Sequence, residues 1–254
     1  MKICQLASGS KGNSCYIESK QTRILIDLGI NCKEVEKRLQ NINVDPSTIE
    51  AIFITHTHSD HIDGLKVFTK KYKTKVYITE KMLNELENKI QDYEFIEKET
   101  TIKDIKITAF KTSHDAEDSN GYLIETNNKS LVYITDTGYI NIKNHKLLKN
   151  RNIYIFESNH DIDMLMNNKN YPYHIKQRIL GDKGHLSNKD SAYYLKKFIG
   201  EDTKYVVLAH LSEQNNTDEL ALEEFNKAIN EDLKKNKHVL IAHQNEQTEL
   251  IEVW

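Results

Sequence analysis

Seven consecutive residues, Thr55 to His61 (THTHSDH), hold three imidazoles and a carboxylate. These groups ligate divalent cations. The run before them, EAIFIT, is apolar, β-branched and aromatic, and reads as a buried strand. On a strand, residues two apart face one side, so His56 and His58 would point together. On a helix, at ~100° per residue, they would diverge by ~200°. Asp60 continues the alternation and His61 breaks it. Beyond lie Ile62, Leu65 and Phe68 at helical spacing. The stretch is therefore expected to be a strand end, a turn and a helix start. One metal could take His56 and His58, and a second Asp60 and His61. The plainer alternative, a polar loop with a chance cluster, is weakened by four such groups in seven positions of a chain with 11 histidines.

The same pairing of strand and ligand-capable residue recurs. RILID ends at Asp27, IKITAFKTSH at His114, KSLVYITD at Asp136 before Gly138, and KYVVLAH at His210. Any one of these has a bland reading, since an Asp before a turn is usually a turn former and a lone His is usually structural. Their repetition is the signal, because strand ends are where distant segments converge. His160 also follows a strand, NIYIFE. It could compete with His210 as a ligand or contact substrate.

Helices are expected between the strands: NCKEVEKRLQNI, TEKMLNELENKI starting at a Thr79 cap, and SNKDSAYYLKKFIG with Ser187 and Asp190 at capping-box spacing. TDELALEEFNKAINEDL is a fourth, and the strands HVLIAHQ and TELIEVW close the chain. Alternation of strands and helices in both halves predicts an α/β class of layered sheets with helices outside.

The 254 residues suffice for one large domain over 1–254. Apolar content of 38% and charged content of 29% indicate a globular chain. No apolar run reaches membrane-spanning length and no signal sequence is evident, so no membrane partner is expected. Cys4, Cys15 and Cys32 lack CxxC spacing and argue for a reducing, cytoplasmic setting. With a net charge of −3 the chain is no dedicated nucleic-acid coat. Lys70, Lys71 and Lys73 fall in a lysine-rich stretch that reads first as solvated surface and second as a phosphate-contacting edge. SGSKGNS lacks the GK[ST] of a Walker loop. It is either a polar hairpin turn or a loop whose backbone N–H groups meet a phosphate.

Taken together, these residues resemble a known family. THTHSDH resembles the HxHxDH motif of the metallo-β-lactamase fold, and Asp27, His114, Asp136 and His210 follow in that superfamily's order. LASGSKGNSCYIE, ESNHD, GDKGHLSN and LAHLSEQNN further resemble the YycJ/WalJ-like group, related to RNase Z and PhnP. The resemblance implies a four-layer αββα sandwich with two divalent metal ions, Zn2+ first, with Mn2+ or Fe also compatible. It implies His56, His58 and His114 on one metal, Asp60, His61 and His210 on the other, Asp136 bridging, and Asp27 orienting the cluster. Asp60 would also orient the attacking water. His185 in GHLS would be the general acid, against the plainer reading of a turn before a capped helix. It implies a loop for phosphate at Ser8, Ser10 and Asn13.

The activity so implied is two-metal phosphodiester hydrolysis of nucleic acid, with DNA exonuclease action foremost. The alternatives are a small cyclic or modified nucleotide substrate in the manner of PhnP, thioester or β-lactam hydrolysis, and, outside enzymes, a regulatory module that keeps its metals. The oligomeric state is left open.

Overall fold

The computed structural model describes residues 1–253. The first sheet is built from β1 (Lys2–Ala7), β2 (Ser14–Glu18), β3 (Arg23–Ile26), β4 (Ala51–Phe53), β5 (Lys75–Ile78) and β6 (Tyr93–Phe95). The second is built from β7 (Glu99–Ile102), β8 (Ile105–Lys111), β9 (Asn120–Glu125), β10 (Ser130–Ile134), β11 (Ile153–Glu157), β12 (Tyr205–Ala209) and β13 (His238–Ile241). β14 (Ile251–Glu252) returns to the first sheet beside β1, giving two seven-stranded sheets among the described residues.

Period-2 alternation decides which side chains meet between the sheets. Ile24 and Ile26 face inward while Leu25 faces out; likewise Leu131 and Tyr133 face inward, and Val132 and Ile134 out. Phe53 stacks on Tyr77 with ring centroids 4.6 Å apart in this inner layer. Truncating such a buried ring to Ala costs about 3–5 kcal/mol.

Helices cover the outer faces. On the first sheet lie α1 (Cys32–Asn41), capped where Asn31 accepts from the Glu34 N–H at 3.0 Å, the short α2 (Ser59–Ile62), α3 (Leu65–Tyr72) and α4 (Leu83–Leu86). Val35, Leu39, Leu65 and Phe68 pack there against Leu25, Ile52 and Val76. The second half carries α5 (His145–Leu148), α6 (Ile162–Asn167), α7 (Tyr173–Leu180), α8 (Asn188–Phe198), α9 (Asp218–Ala228) and α10 (Glu231–Lys234). Leu195, Phe198 and Phe225 cover the outer face of the second sheet. The architecture is the four-layer αββα sandwich.

Three local expectations change. The strand before the histidine cluster stops at Phe53, and Thr55 to His58 form an extended loop; His58 keeps strand-like dihedrals (φ −60°, ψ 149°) as it enters α2. The expected helix from Thr79 is a 3-10 turn followed by four α-helical residues, and the Thr79 side chain caps nothing. The helix expected through Leu233 breaks after Ala228, and Asn230 recaps its second part.

No helix of the described residues is long and apolar enough to cross a membrane.

Candidate metal centre

β3, β4 and β5 run parallel, as do β10, β11 and β12. Their carboxyl ends gather at one edge of the sandwich. Asp27 directly follows β3, Asp136 comes two residues after β10, and His210 directly follows β12. All three adopt left-handed backbone conformations, with φ of 59°, 53° and 57°. Such φ values are uncommon for non-glycine residues and concentrate where function requires a particular side-chain aim. They turn the chain sharply, so that each side chain points across the edge.

The His-rich loop is pinned by backbone contacts. The Asn13 N–H donates to the Asp60 carbonyl at 2.7 Å, and the Leu28 N–H to the His61 carbonyl at 2.8 Å. A β-carbon at Gly29 would lie 1.6 Å from the Asp60 carbonyl oxygen, so only glycine allows this approach.

The side chains then converge. Nitrogen atoms of His56, His58 and His114 lie within 4.8 Å of one another, and so do ligand atoms of Asp60, His61 and His210. Asp136 stands between the sets: Oδ2 is 3.2 Å from His61 Nε2, and Oδ1 is 3.6 Å from His210 Nε2 and 3.8 Å from His114 Nε2. The Asp27 carboxylate accepts from Thr55 N–H, from the Thr55 hydroxyl (both 2.8 Å) and from His61 Nδ1 at 2.7 Å. A carboxylate only accepts, so Nδ1 of His61 carries a proton, and Nε2 is the nitrogen turned toward Asp136 and free to ligate once a cation displaces any proton on it.

This arrangement leaves buried polar atoms converging without hydrogen-bond partners. His56 Nε2, His210 Nε2 and Asp136 Oδ2 are buried with no hydrogen-bond partner. An unsatisfied buried polar group costs about 1–3 kcal/mol, and several converging on one point are what a cation relieves. Imidazole and carboxylate donors in this ratio fit divalent cations such as Zn2+.

The same convergence sets the charge of each group in the absence of cations. Burial opposes the charge on His61, but Asp27, Asp136 and Asp60 outweigh it and raise its pKa well above the ordinary value. For His210, burial is likewise overcome, chiefly by Asp136, and its pKa is pushed up to about 10. His56 is as buried as His61, and burial, aided by the neighbouring imidazoles of His61, His114 and His58, drives it well below the ordinary value.

His185 stands beside this cluster. Its Nδ1 is 2.7 Å from Glu157 Oε1. Glu157, fully buried at the end of β11, also contacts His210 Nδ1 at 3.0 Å and accepts from the Thr137 N–H at 2.9 Å and the Leu186 N–H at 3.2 Å. Sequence reasoning did not single out Glu157, although a carboxylate ending an apolar strand was the signal used for Asp27 and Asp136. With its oxygens so engaged, Glu157 anchors two imidazoles. Asp115, also missed, stands 3.4 Å from His114 Nε2 and pairs with Arg178.

The remaining candidates divide. The Ser8 hydroxyl accepts from the His210 N–H at 2.7 Å, and Asn13 Nδ2 lies 3.1 Å from His61 Nε2 and 3.3 Å from Asp60 Oδ2. Both residues are buried, and their side chains brace the cluster instead of facing outward to a phosphate. Ser10 is exposed at the loop tip. His160 is buried against Asn159 and joins none of the convergent groups; its backbone bridges to Ser187. Asn159 instead donates to the His210 carbonyl at 2.9 Å, and Asn216 ties Ser158, Asn159 and Asn188 together. ESNHD, HLSN and SEQNN thus meet in one polar network behind His210.

Lys70, Lys71 and Lys73 are not brought to the cluster. Lys75 pairs in register with Ala51, at the start of β4, whereas the ligands follow the end of β4. α3 carries these lysines toward the opposite edge, where Lys71 pairs with Glu36 at 2.9 Å.

Comparison with known proteins agrees with this geometry. A β-lactamase superfamily domain matches residues 22–211. The exodeoxyribonuclease YycJ of Bacillus anthracis is 40% identical over 223 residues, covering 85% of this chain and 84% of that protein. The exodeoxyribonuclease WalJ of Streptococcus pneumoniae serotype 2 (strain D39) is 40% identical over 229 residues, covering 87% and 85%. Among solved structures, the metallo-β-lactamase fold protein YhfI from Bacillus subtilis superposes with a TM-score of 0.75 at 15% identity, over 98% of this chain and 99% of that one. The chain belongs to the β-lactamase superfamily, among hydrolases of the metallo-β-lactamase fold.

Proposed function

We propose that this protein is a two-metal phosphodiester hydrolase that degrades DNA from its ends. The observation that carries the reading is the pair of three-ligand sets joined through Asp136, in a chain 40% identical to proteins named exodeoxyribonucleases. His56, His58 and His114 would hold one cation and Asp60, His61 and His210 the other, with Asp136 between them. The chemistry two bound divalent cations supply is Lewis-acid activation of water and neutralisation of phosphoryl charge.

The chain's own residues do the rest. Asp60 extends to the cluster from the start of α2, and Asn13 fixes its carboxylate. That aim suits it both to ligate and to orient the attacking water. His185 is the proton donor to the leaving alkoxide. Burial would lower its pKa, but the Glu157 carboxylate outweighs burial and raises it, which favours the protonated ring a proton donor needs. Glu157 holds Nδ1 and leaves Nε2 to deliver the proton.

A purified sample loaded with Zn2+ or Mn2+ and offered bis-p-nitrophenyl phosphate, nitrocefin and a thioester tests the reaction class. Hydrolysis of the phosphodiester alone is expected. Turnover of nitrocefin or the thioester without the phosphodiester would replace this reading with one of the fold's other chemistries.

A further inference from the structure

The loops that carry His114 and Asp136 are joined outside the cluster. The Gly138 N–H donates to the Ser113 carbonyl at 2.8 Å, and the Ser113 N–H to the Thr137 hydroxyl at 3.0 Å. Immediately beyond that junction is a cavity of about 350 Å³, lined by Lys111, Ser113, Tyr139, Asn141, Lys143 and Asn144 among others. Ser113 is one residue from His114, and Tyr139 three from Asp136. The cavity is therefore walled in part by the two loops that carry the ligand residues His114 and Asp136.

Its wall and its free groups can be told apart by their partners. Asn141 accepts from the Lys143 N–H at 3.0 Å, Asn144 donates to the Lys111 carbonyl at 3.2 Å, and Lys111 pairs with Asp118. These groups are committed to building the wall. Tyr139 is 40% exposed, and its ring stacks on no other aromatic ring among the described residues. Lys143 makes no ion pair among the described residues. An open aromatic face and an uncommitted ammonium in a cavity of this size suit one nucleotide: a base on the ring and a phosphate on the cation.

We propose that this cavity is a nucleotide subsite of the hydrolase, in which Tyr139 stacks the nucleobase next to the scissile phosphate and Lys143 receives the neighbouring phosphate. The inference rests on the phosphodiesterase reading above. It makes the subsite tolerant of base identity, since every base offers a π-face, and sensitive to loss of the base.

The test pairs two oligonucleotides that differ only in an abasic terminal nucleotide, each with wild type, Tyr139→Ala and Tyr139→Phe. With wild type and Tyr139→Phe, kcat/KM is expected to fall about ten-fold when the base is removed. With Tyr139→Ala the two substrates should be equal. A base effect that persists in Tyr139→Ala overturns the proposal. A second arm needs no metal. Binding of deoxyadenosine monophosphate and of deoxyribose 5-phosphate is measured by NMR titration of the metal-stripped protein. The nucleotide should bind about ten-fold more tightly to wild type, and Tyr139→Ala should abolish the difference. Lys143→Glu should weaken both. Equal binding of the two ligands to wild type overturns the subsite. Binding of the nucleotide by a protein that cannot cut DNA overturns only the reading on which the subsite rests.

Discussion

The Asp27 carboxylate receives the Nδ1 proton of His61 across 2.7 Å, both side chains being fully buried. Through this bond the end of β3 fixes which nitrogen of His61 faces Asp136. Asp27→Asn keeps the left-handed backbone, which Asn tolerates, but removes the charge that fixes the tautomer. Metal affinity should fall about 10–100-fold. Metal retained per chain after dialysis against graded chelator measures this, and retention equal to wild type would deny Asp27 that role.

His185→Ala should keep both metals and lose about 10²–10⁴-fold in turnover of DNA. The deficit should shrink for a substrate releasing p-nitrophenolate, which needs little protonation. Equal losses on good and poor leaving groups would mean that His185 positions substrate and does not donate a proton. Glu157→Gln should shift the acidic group in the pH–rate profile toward lower pH, because the carboxylate holds the His185 pKa up.

His210→Ala should lower metal stoichiometry, whereas His160→Ala should retain both ions. His160 Nε2 is buried without a partner but joins no set of convergent ligand atoms. Elemental analysis of the two variants decides the matter. Loss of metal from His160→Ala alone would reverse the assignment.

Stability of the metal-stripped protein should peak near pH 6.5. Burial disfavours charge on His56, His61, His114, His160, His185 and His210. At His61, His185 and His210 neighbouring carboxylates overcome it and raise the pKa values, that of His210 to about 10. Their contribution is complete below pH 6.5 and is lost as pH rises through the folded values. At His56, His114 and His160 burial prevails and the pKa values fall, that of His160 to about 4. Their contribution is present above pH 6.5 and is lost as pH falls toward the folded values. Thermal denaturation from pH 5 to 9 in chelator should show the maximum, and metal should extend stability to higher pH because it replaces the protons on His61 and His210. A Tm that rises steadily through pH 8 in chelator would contradict this.

Strand-end logic was legible because hydrophobic runs announce strands and a polar residue ending such a run stands out. Asp27, Asp136 and His210, distant in sequence, are brought for that reason to the edge where the loop after β4 carries His56, Asp60 and His61. The left-handed turns at Asp27, Asp136 and His210 have no such signature, since local sequence does not show that a strand end must reverse sharply. The part of Glu157 was hidden because it emerges only when β11 lies between β10 and β12 and its carboxylate reaches His185 and His210. For the lysines after the His cluster, the first reading, a solvated surface, holds, and the second, a phosphate-contacting edge, rested only on proximity in sequence. A helix of eight residues spans about 12 Å, and α3 spends that length leading away from the cluster.

The most direct test of the account is nucleotide release from one metal-loaded preparation offered linear duplex DNA and the same DNA as a closed circle, with Asp136→Ala as control. Release from the linear form, an intact circle and no release by the variant are predicted. Equal cutting of circle and line, or undiminished cutting by Asp136→Ala, would contradict it.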